Sequence, residues 1–147
     1  MINAGLKTRI YYVTLDGFDT HSNQRDAHAG LLNQLSGAVS AFLEDITHHG
    51  HGRRLMVMSF SEFGRRVKEN ASNGTDHGAA APMFLAGQNV IGGLMGEHPS
   101  MTDLDDGDVK FHTDFRRVYA GVLHQWLGWD AAALIGKQFA PLDVVQA

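Results

Sequence analysis

Apolar runs and a long helical repeat alternate over the first sixty residues. Residues 9–15 are almost continuously apolar and rich in β-branched and aromatic side chains, which predicts a buried, parallel strand. Apolar residues then recur at helical spacing and predict a helix over about 24–47: Leu31, Leu32, Leu35, Val39, Phe42, Leu43 and Ile46. A second apolar run at 55–60 follows. This order predicts a strand–helix–strand unit with a right-handed crossover and parallel pairing.

The second half of the chain has weaker patterns. Residues 67–78 are predicted as an exposed loop, 81–85 as a third strand, and 103–108 as a solvated acidic loop. Thr113 or Asp114 is predicted to cap a last long helix, which Gly128 ends. Without a repeat or a linker, we predict one α/β domain over residues 1–147, with a mainly parallel sheet flanked by helices.

Composition narrows the function classes. The chain has 147 residues, 44% of them hydrophobic and 19% charged, as in ordinary globular proteins. Its formal net charge of −4, without a basic stripe, gives no electrostatic case for nucleic acid or an anionic membrane. It contains no cysteine, which excludes disulfides, thiolate catalysis and cysteine zinc sites. No run approaches the length of a membrane helix, and we expect no export signal.

The first candidate cluster lies in the loop between the first predicted strand and the long helix. It contains Asp16, Asp19 and His21. Carboxylate oxygens and imidazole nitrogens suit zinc, manganese or iron, and open α/β folds place their chemistry at such strand ends. The alternative is a helix-capping loop in which Asp19 binds backbone amides and His21 is merely polar.

Two further loops carry similar groups. Glu62 follows the second predicted strand, where it either belongs to a site or pairs with a neighbouring arginine. Arg65 could bind an anionic substrate, because guanidinium matches phosphate or sulfate oxygens bidentately. Asp76 and His77 offer two metal ligands, or a carboxylate that orients an imidazole. Three successive loops with such residues predict a shared metal site more strongly than any one alone.

Four motifs in order, within about residues 9–128, resemble a known family. They are Gly-Phe-Asp-Thr-His at 17–21 with Asn-Gln at 23–24, Ser-Glu-Phe-Gly-Arg at 61–65, Gly-Thr-Asp-His-Gly at 74–78 and Thr-Asp-Phe-Arg at 113–116. Together they resemble the domain of unknown function 1501. That resemblance implies bacterial proteins exported by the twin-arginine route and related to the alkaline phosphatase and sulfatase superfamily. The localisation of this chain itself stays unassigned.

The superfamily resemblance implies a two-metal site at the carboxyl ends of strands. Asp16 or Asp19, together with His21 and His77, would bind one metal, and Glu62 would reach the second. Phe63 stands where superfamily phosphatases have a histidine. The nucleophile and another metal-binding aspartate of the superfamily belong to an N-terminal half, whereas this sequence resembles only the C-terminal part. No catalytic residue is therefore assigned.

These features predict the C-terminal portion of a metal-dependent phosphatase- or sulfatase-type hydrolase of small anionic esters. Zinc or manganese is the expected metal, and the chain alone is expected to bind it weakly and turn over little. We expect Glu62 to bind the second metal and Asp76 to be a further metal ligand. Arg65 is expected to bind the substrate. The alternative is a non-enzymatic binding or assembly module with a degenerate site. An exposed sheet edge would then favour a homodimer.

Overall fold

The longest element is the helix α1, Gln24–His48. It confirms the helix predicted from the apolar repeat. Asn23 precedes it in the left-handed region, with φ of 45°, and Asp26 lies in the first turn, where the helix dipole favours negative charge. Ile46 is the buried residue of this helix. Gly50, with φ of 78°, turns the chain away after its last turn.

The computed structural model describes residues 1–146, which form two units. The first unit contains Met1–Leu55 and Lys68–Asp76, and so includes α1. The second contains Met56–Val67 and the chain from His77 onward. None of the helices in the described part of the chain is both long and apolar enough to cross a membrane.

Six short strands form three two-stranded sheets within residues 1–146. They are β1 Val57–Met58, β2 Gly64–Glu69, β3 Thr75–Gly78, β4 Leu85–Ala86, β5 Leu104–Asp105 and β6 Asp108–Val109. β1 pairs with β4 and β5 pairs with β6, both antiparallel, while β2 pairs with β3. In the first sheet Val57 lies opposite Ala86 and Met58 opposite Leu85.

The predicted α/β fold with a mainly parallel sheet flanked by helices is wrong. Residues 9–15 form no strand, and the side chains of Tyr12 and Val13 are 75% and 87% exposed. The apolar run at 55–60 was expected to pair with them, but its strand β1 pairs antiparallel with β4 instead. A parallel strand is stable when neighbours on both sides and helices on both faces cover it. The apolar pattern of residues 9–15 therefore indicated a strand, but in this structure the segment is not covered by neighbouring strands and helices.

Two predicted loops are hairpins. Segment 67–78 contains the end of β2 and all of β3. In the turn between them the Asn70 N–H donates to the Gly74 carbonyl over 2.7 Å, and Asn73 has φ of 56°. The acidic segment at 103–108 forms β5 and β6, joined at Asp106 and Gly107, both with positive φ. Asn-Gly and Asp-Gly pairs are the strongest short-range signals for such turns. The predicted third strand reduces to β4.

The core of the second unit lies around its C-terminal helices. α2 spans Phe115–Gly121 and continues as a π-helical turn over Val122–Trp126, and α3 spans Ala131–Ile135. Ala120 and Val144 are 0% and 1% exposed. The predicted cap is confirmed, because the Asp114 side chain accepts from the N–H of Arg116.

One side chain fastens the C-terminal segment to the π-helical turn. The Gln125 Oε1 accepts from the N–H groups of Val144 and Val145, over 3.0 and 3.2 Å. Its Nε2 donates to the Leu142 carbonyl over 3.3 Å and to the Asp143 carboxylate over 2.9 Å. All the hydrogen-bonding groups of this amide therefore face one segment, which keeps Val144 in the core.

Candidate metal centre

In the first unit, the tip of the β2–β3 hairpin holds the start of α1. The N–H of Asn23 donates to the Ser72 carbonyl and the N–H of Gln24 to the Asn73 carbonyl, each over 2.9 Å. The Thr75 hydroxyl donates to the Gln24 side-chain oxygen over 2.8 Å. The first N–H groups of a helix have no partner inside it, so these carbonyls satisfy donors that the Asn23 side chain leaves unbonded. Helix start and hairpin tip thus form one local structure.

His21, two residues before this junction, lies between two carboxylates. Its Nε2 is 2.9 Å from Asp19 Oδ1, and its Nδ1 is 3.6 Å from Asp76 Oδ1. All three side chains are more than two-fifths exposed. A neutral imidazole has one N–H and can donate to one carboxylate, whereas a protonated imidazole can donate to both. The structure thus brings together residues from two of the three predicted loops.

Asn70, on the hairpin, joins both sides of this cluster. Its Oδ1 accepts from the N–H groups of Ser72 and Gly74, over 2.9 and 3.1 Å. Its Nδ2 donates to the His21 carbonyl over 3.0 Å and lies 3.5 Å from Asp76 Oδ1. Asn70 is not among the residues predicted for the site. An asparagine whose side chain accepts from N–H groups further along the chain is a recognised turn signal, and the sequence contains this signal at Asn70.

Gly74 allows two segments of the chain, the hairpin tip and the loop of His21, to lie close together. It is buried, and a Cβ placed on it would meet the carbonyl group of His21 and lie 2.9 Å from the nitrogen of Ser22. Because no side chain fits there, glycine at this position sets the distance between the hairpin tip and the loop that carries His21.

Four more residues were predicted for the site: Asp16, Glu62, Arg65 and His77. Asp16 is exposed, in the same loop as Asp19, and it is Asp19 that contacts His21. Glu62, Arg65 and His77 belong to the second unit, where Glu62 is exposed.

In the second unit, Phe63 and His77 form an aromatic stack. The rings of Phe63 and His77 are parallel within 6°, with centroids 3.8 Å apart. The guanidinium carbon of Arg65 lies 5.2 Å from the Phe63 centroid, within cation–π range. Phe63 therefore packs flat against the imidazole of His77.

In the second unit, the pKa of one carboxyl group is lowered. The Arg116 guanidinium donates to both carboxylate oxygens of Asp114, over 2.9 and 2.6 Å, and lowers the pKa of Asp114 to about 2. The N–H of Arg116 lowers it further in the same direction. Since Asp114 caps α2, this perturbed pKa reflects a helix cap and gives no evidence of catalysis.

The chemistry of the donors fits a borderline divalent cation. Two carboxylates and one imidazole, all exposed, are ligand types that zinc and manganese accept. In the structure the imidazole and the Asp19 carboxylate contact each other directly, so a cation would have to replace that contact. Asp19, His21 and Asp76 therefore form a candidate metal centre.

Comparison with known protein families identifies the chain at the family level. The model of the family described as "Protein of unknown function (DUF1501)" matches residues 3–139, and the chain belongs to this family. No curated protein matches the chain, and no solved structure does. The match confirms the family that the four motifs resemble, and it assigns no activity.

Proposed function

We propose that this chain supplies part of a divalent-metal site for the hydrolysis of small phosphate or sulfate esters. One observation carries the proposal: the hairpin brings Asp76 to His21, which already lies against Asp19. The three residues come from two of the family motifs, at 17–21 and 74–78, that are far apart in sequence. Their convergence on one imidazole supports a common role.

In this proposal Asp19, His21 and Asp76 hold the metal. When bound, zinc or manganese would polarise the ester and stabilise the charge that develops on its oxygens. The chain's own side chains fix the ligand positions through the contacts at the start of α1. The roles predicted for Glu62, Arg65 and His77, as ligands and as an anion-binding arginine, remain predictions.

We further propose that the chain alone is inactive and that another polypeptide segment supplies the nucleophile. This part is supported by the superfamily resemblance of the motifs, which covers only the part of that pattern without the nucleophile. It predicts metal binding without turnover, a combination that separates it from both a complete enzyme and a module that binds no metal.

Isothermal titration calorimetry with zinc and manganese tests the proposal. Wild type should bind one ion, and His21→Ala should lose that binding. Uptake should release protons, because imidazole and carboxylate ligands bind metal in their deprotonated forms; heats measured in two buffers report this release. Aryl phosphates and aryl sulfates should remain uncleaved by the chain with either metal.

The matched control is His49→Ala. His49 is also exposed, and its Nδ1 lies 3.5 Å from one carboxylate, that of Asp45 in α1. This variant should bind as wild type does. Equal uptake by wild type and His21→Ala would refute the proposal. Loss of uptake in His49→Ala alone would also refute it and would place metal binding at the end of α1.

A further inference from the structure

We infer that Asn70 is a positioning residue that holds the imidazole of His21 against Asp76. The inference rests on the proposed function, and the contacts that support it lie within the chain itself. Both ends of the Asn70 amide form hydrogen bonds. The oxygen accepts from its own turn, and the NH₂ group donates to the loop of His21.

The orientation of the amide follows from its neighbours. Two N–H groups, from Ser72 and Gly74, point at one end, which must therefore be the carbonyl oxygen. The other end faces the His21 carbonyl and the Asp76 carboxylate, both acceptors, and must be the NH₂ group. No residue other than asparagine offers an acceptor and two donors at this length.

This arrangement couples the turn to the site. The acceptor end fixes the hairpin tip, while the donor end fixes the His21 backbone and lies within 3.5 Å of Asp76. The backbone that carries the His21 ring and the carboxylate of Asp76 are thus both contacted by one side chain. Groups that orient metal ligands in this way typically change metal affinity about 10–100-fold when removed.

Two variants separate the two ends of the amide. Asn70→Ser keeps an oxygen that can accept from the N–H two residues on, but it is too short to reach the His21 carbonyl. Asn70→Ala removes both ends. Gln34→Ala, at an exposed position of α1, is the control for an unrelated amide.

Three readouts are measured at fixed pH. NMR gives the ring ¹⁵N shifts of His21 and the nuclear Overhauser effect between its ring and the Asp76 β-protons. Hydrogen exchange gives the protection of the Ser72 and Gly74 amides. Calorimetry gives zinc affinity. Asn70→Ser should keep the two amides protected, lose the His21–Asp76 contact and bind zinc about tenfold more weakly; Asn70→Ala should lose all three.

A wild-type contact and wild-type ring shifts in Asn70→Ser would overturn the inference. If Asn70→Ser fails to hold the turn, Asn70→Asp replaces it. Asp has the size of Asn and keeps an acceptor for the turn, but it lacks the NH₂ group. The contact between the His21 ring and Asp76 is then measured in this variant. If wild type binds no zinc, the proposed function fails while the ring contact still decides the role of Asn70.

Discussion

Gly74→Ala tests how tightly the hairpin tip is packed on the loop of His21. An added Cβ would meet the His21 carbonyl group and the nitrogen of Ser22. Both are backbone atoms, which cannot move aside as a flexible side chain can. The φ of Gly74 lies outside the left-handed region, so alanine adopts this backbone without strain and the effect is purely steric.

The magnitude follows from overpacking. Inserting a methyl group into a closed contact typically lowers the free energy of unfolding by about 1–3 kcal/mol. Gly37→Ala provides the matched substitution in the same unit, because nothing lies within 4 Å of a Cβ added there. Within α1 it should raise the free energy of unfolding by about 0.5–1 kcal/mol, since alanine restricts the unfolded chain and favours helix. The two substitutions should therefore have opposite signs.

Urea denaturation followed by circular dichroism measures both variants, and hydrogen exchange locates the effect. In Gly74→Ala the amides of Asn23 and Gln24, which donate to the hairpin tip, should lose protection. A Gly74→Ala protein as stable as wild type, with these two amides still protected, would refute the packing described for the tip.

Two further predictions concern the second unit. Gln125→Ala should lower the free energy of unfolding by about 2–3 kcal/mol in urea denaturation, because the N–H of Val144 loses its acceptor. The control Gln34→Ala, at an exposed position, should change it by less than about 0.5 kcal/mol. Equal effects of the two substitutions would contradict the role of Gln125 in holding the C-terminal segment. Asp114→Asn should lower the melting temperature at neutral pH. Arg116 holds the pKa of Asp114 at about 2, below its ordinary 3.8, so the carboxylate stabilises the fold above pH 3.8 and loses this effect as pH falls toward 2. The melting-temperature difference between wild type and Asp114→Asn should shrink over that range, and a constant difference would contradict it.

Local patterns predicted the helices well. The apolar repeat of α1 and the Asp114 cap of α2 are each decided by residues a few positions apart. Helical periodicity and capping act over that distance, so the sequence holds enough information for them. The Asn-Gly pair at 73–74 was equally local, and a hairpin could have been predicted from it.

The sheet could not be predicted in the same way. Residues 9–15 have the composition of a buried strand, yet whether they form one depends on partners distant in sequence. Exposed Val13 shows that composition alone does not supply those partners. From the sequence, either Asp16 or Asp19 could be the carboxylate of the site. The structure shows that Asp19 contacts His21.

The candidate site was predicted as a list of residue types, without its geometry. The contact between His21 and Asp76 depends on a hairpin that the sequence analysis treated as a loop. The turn made by Asn70 could have been predicted from the sequence, but its contact with the His21 carbonyl forms only when the turn meets the loop before α1.

The most direct test of the central claim is an anomalous difference map at the zinc edge from crystals soaked in zinc. The account predicts one strong peak about 2.0–2.2 Å from a ring nitrogen of His21 and from carboxylate oxygens of Asp19 and Asp76. A peak at the histidines that end α1, or no peak at His21, would contradict it.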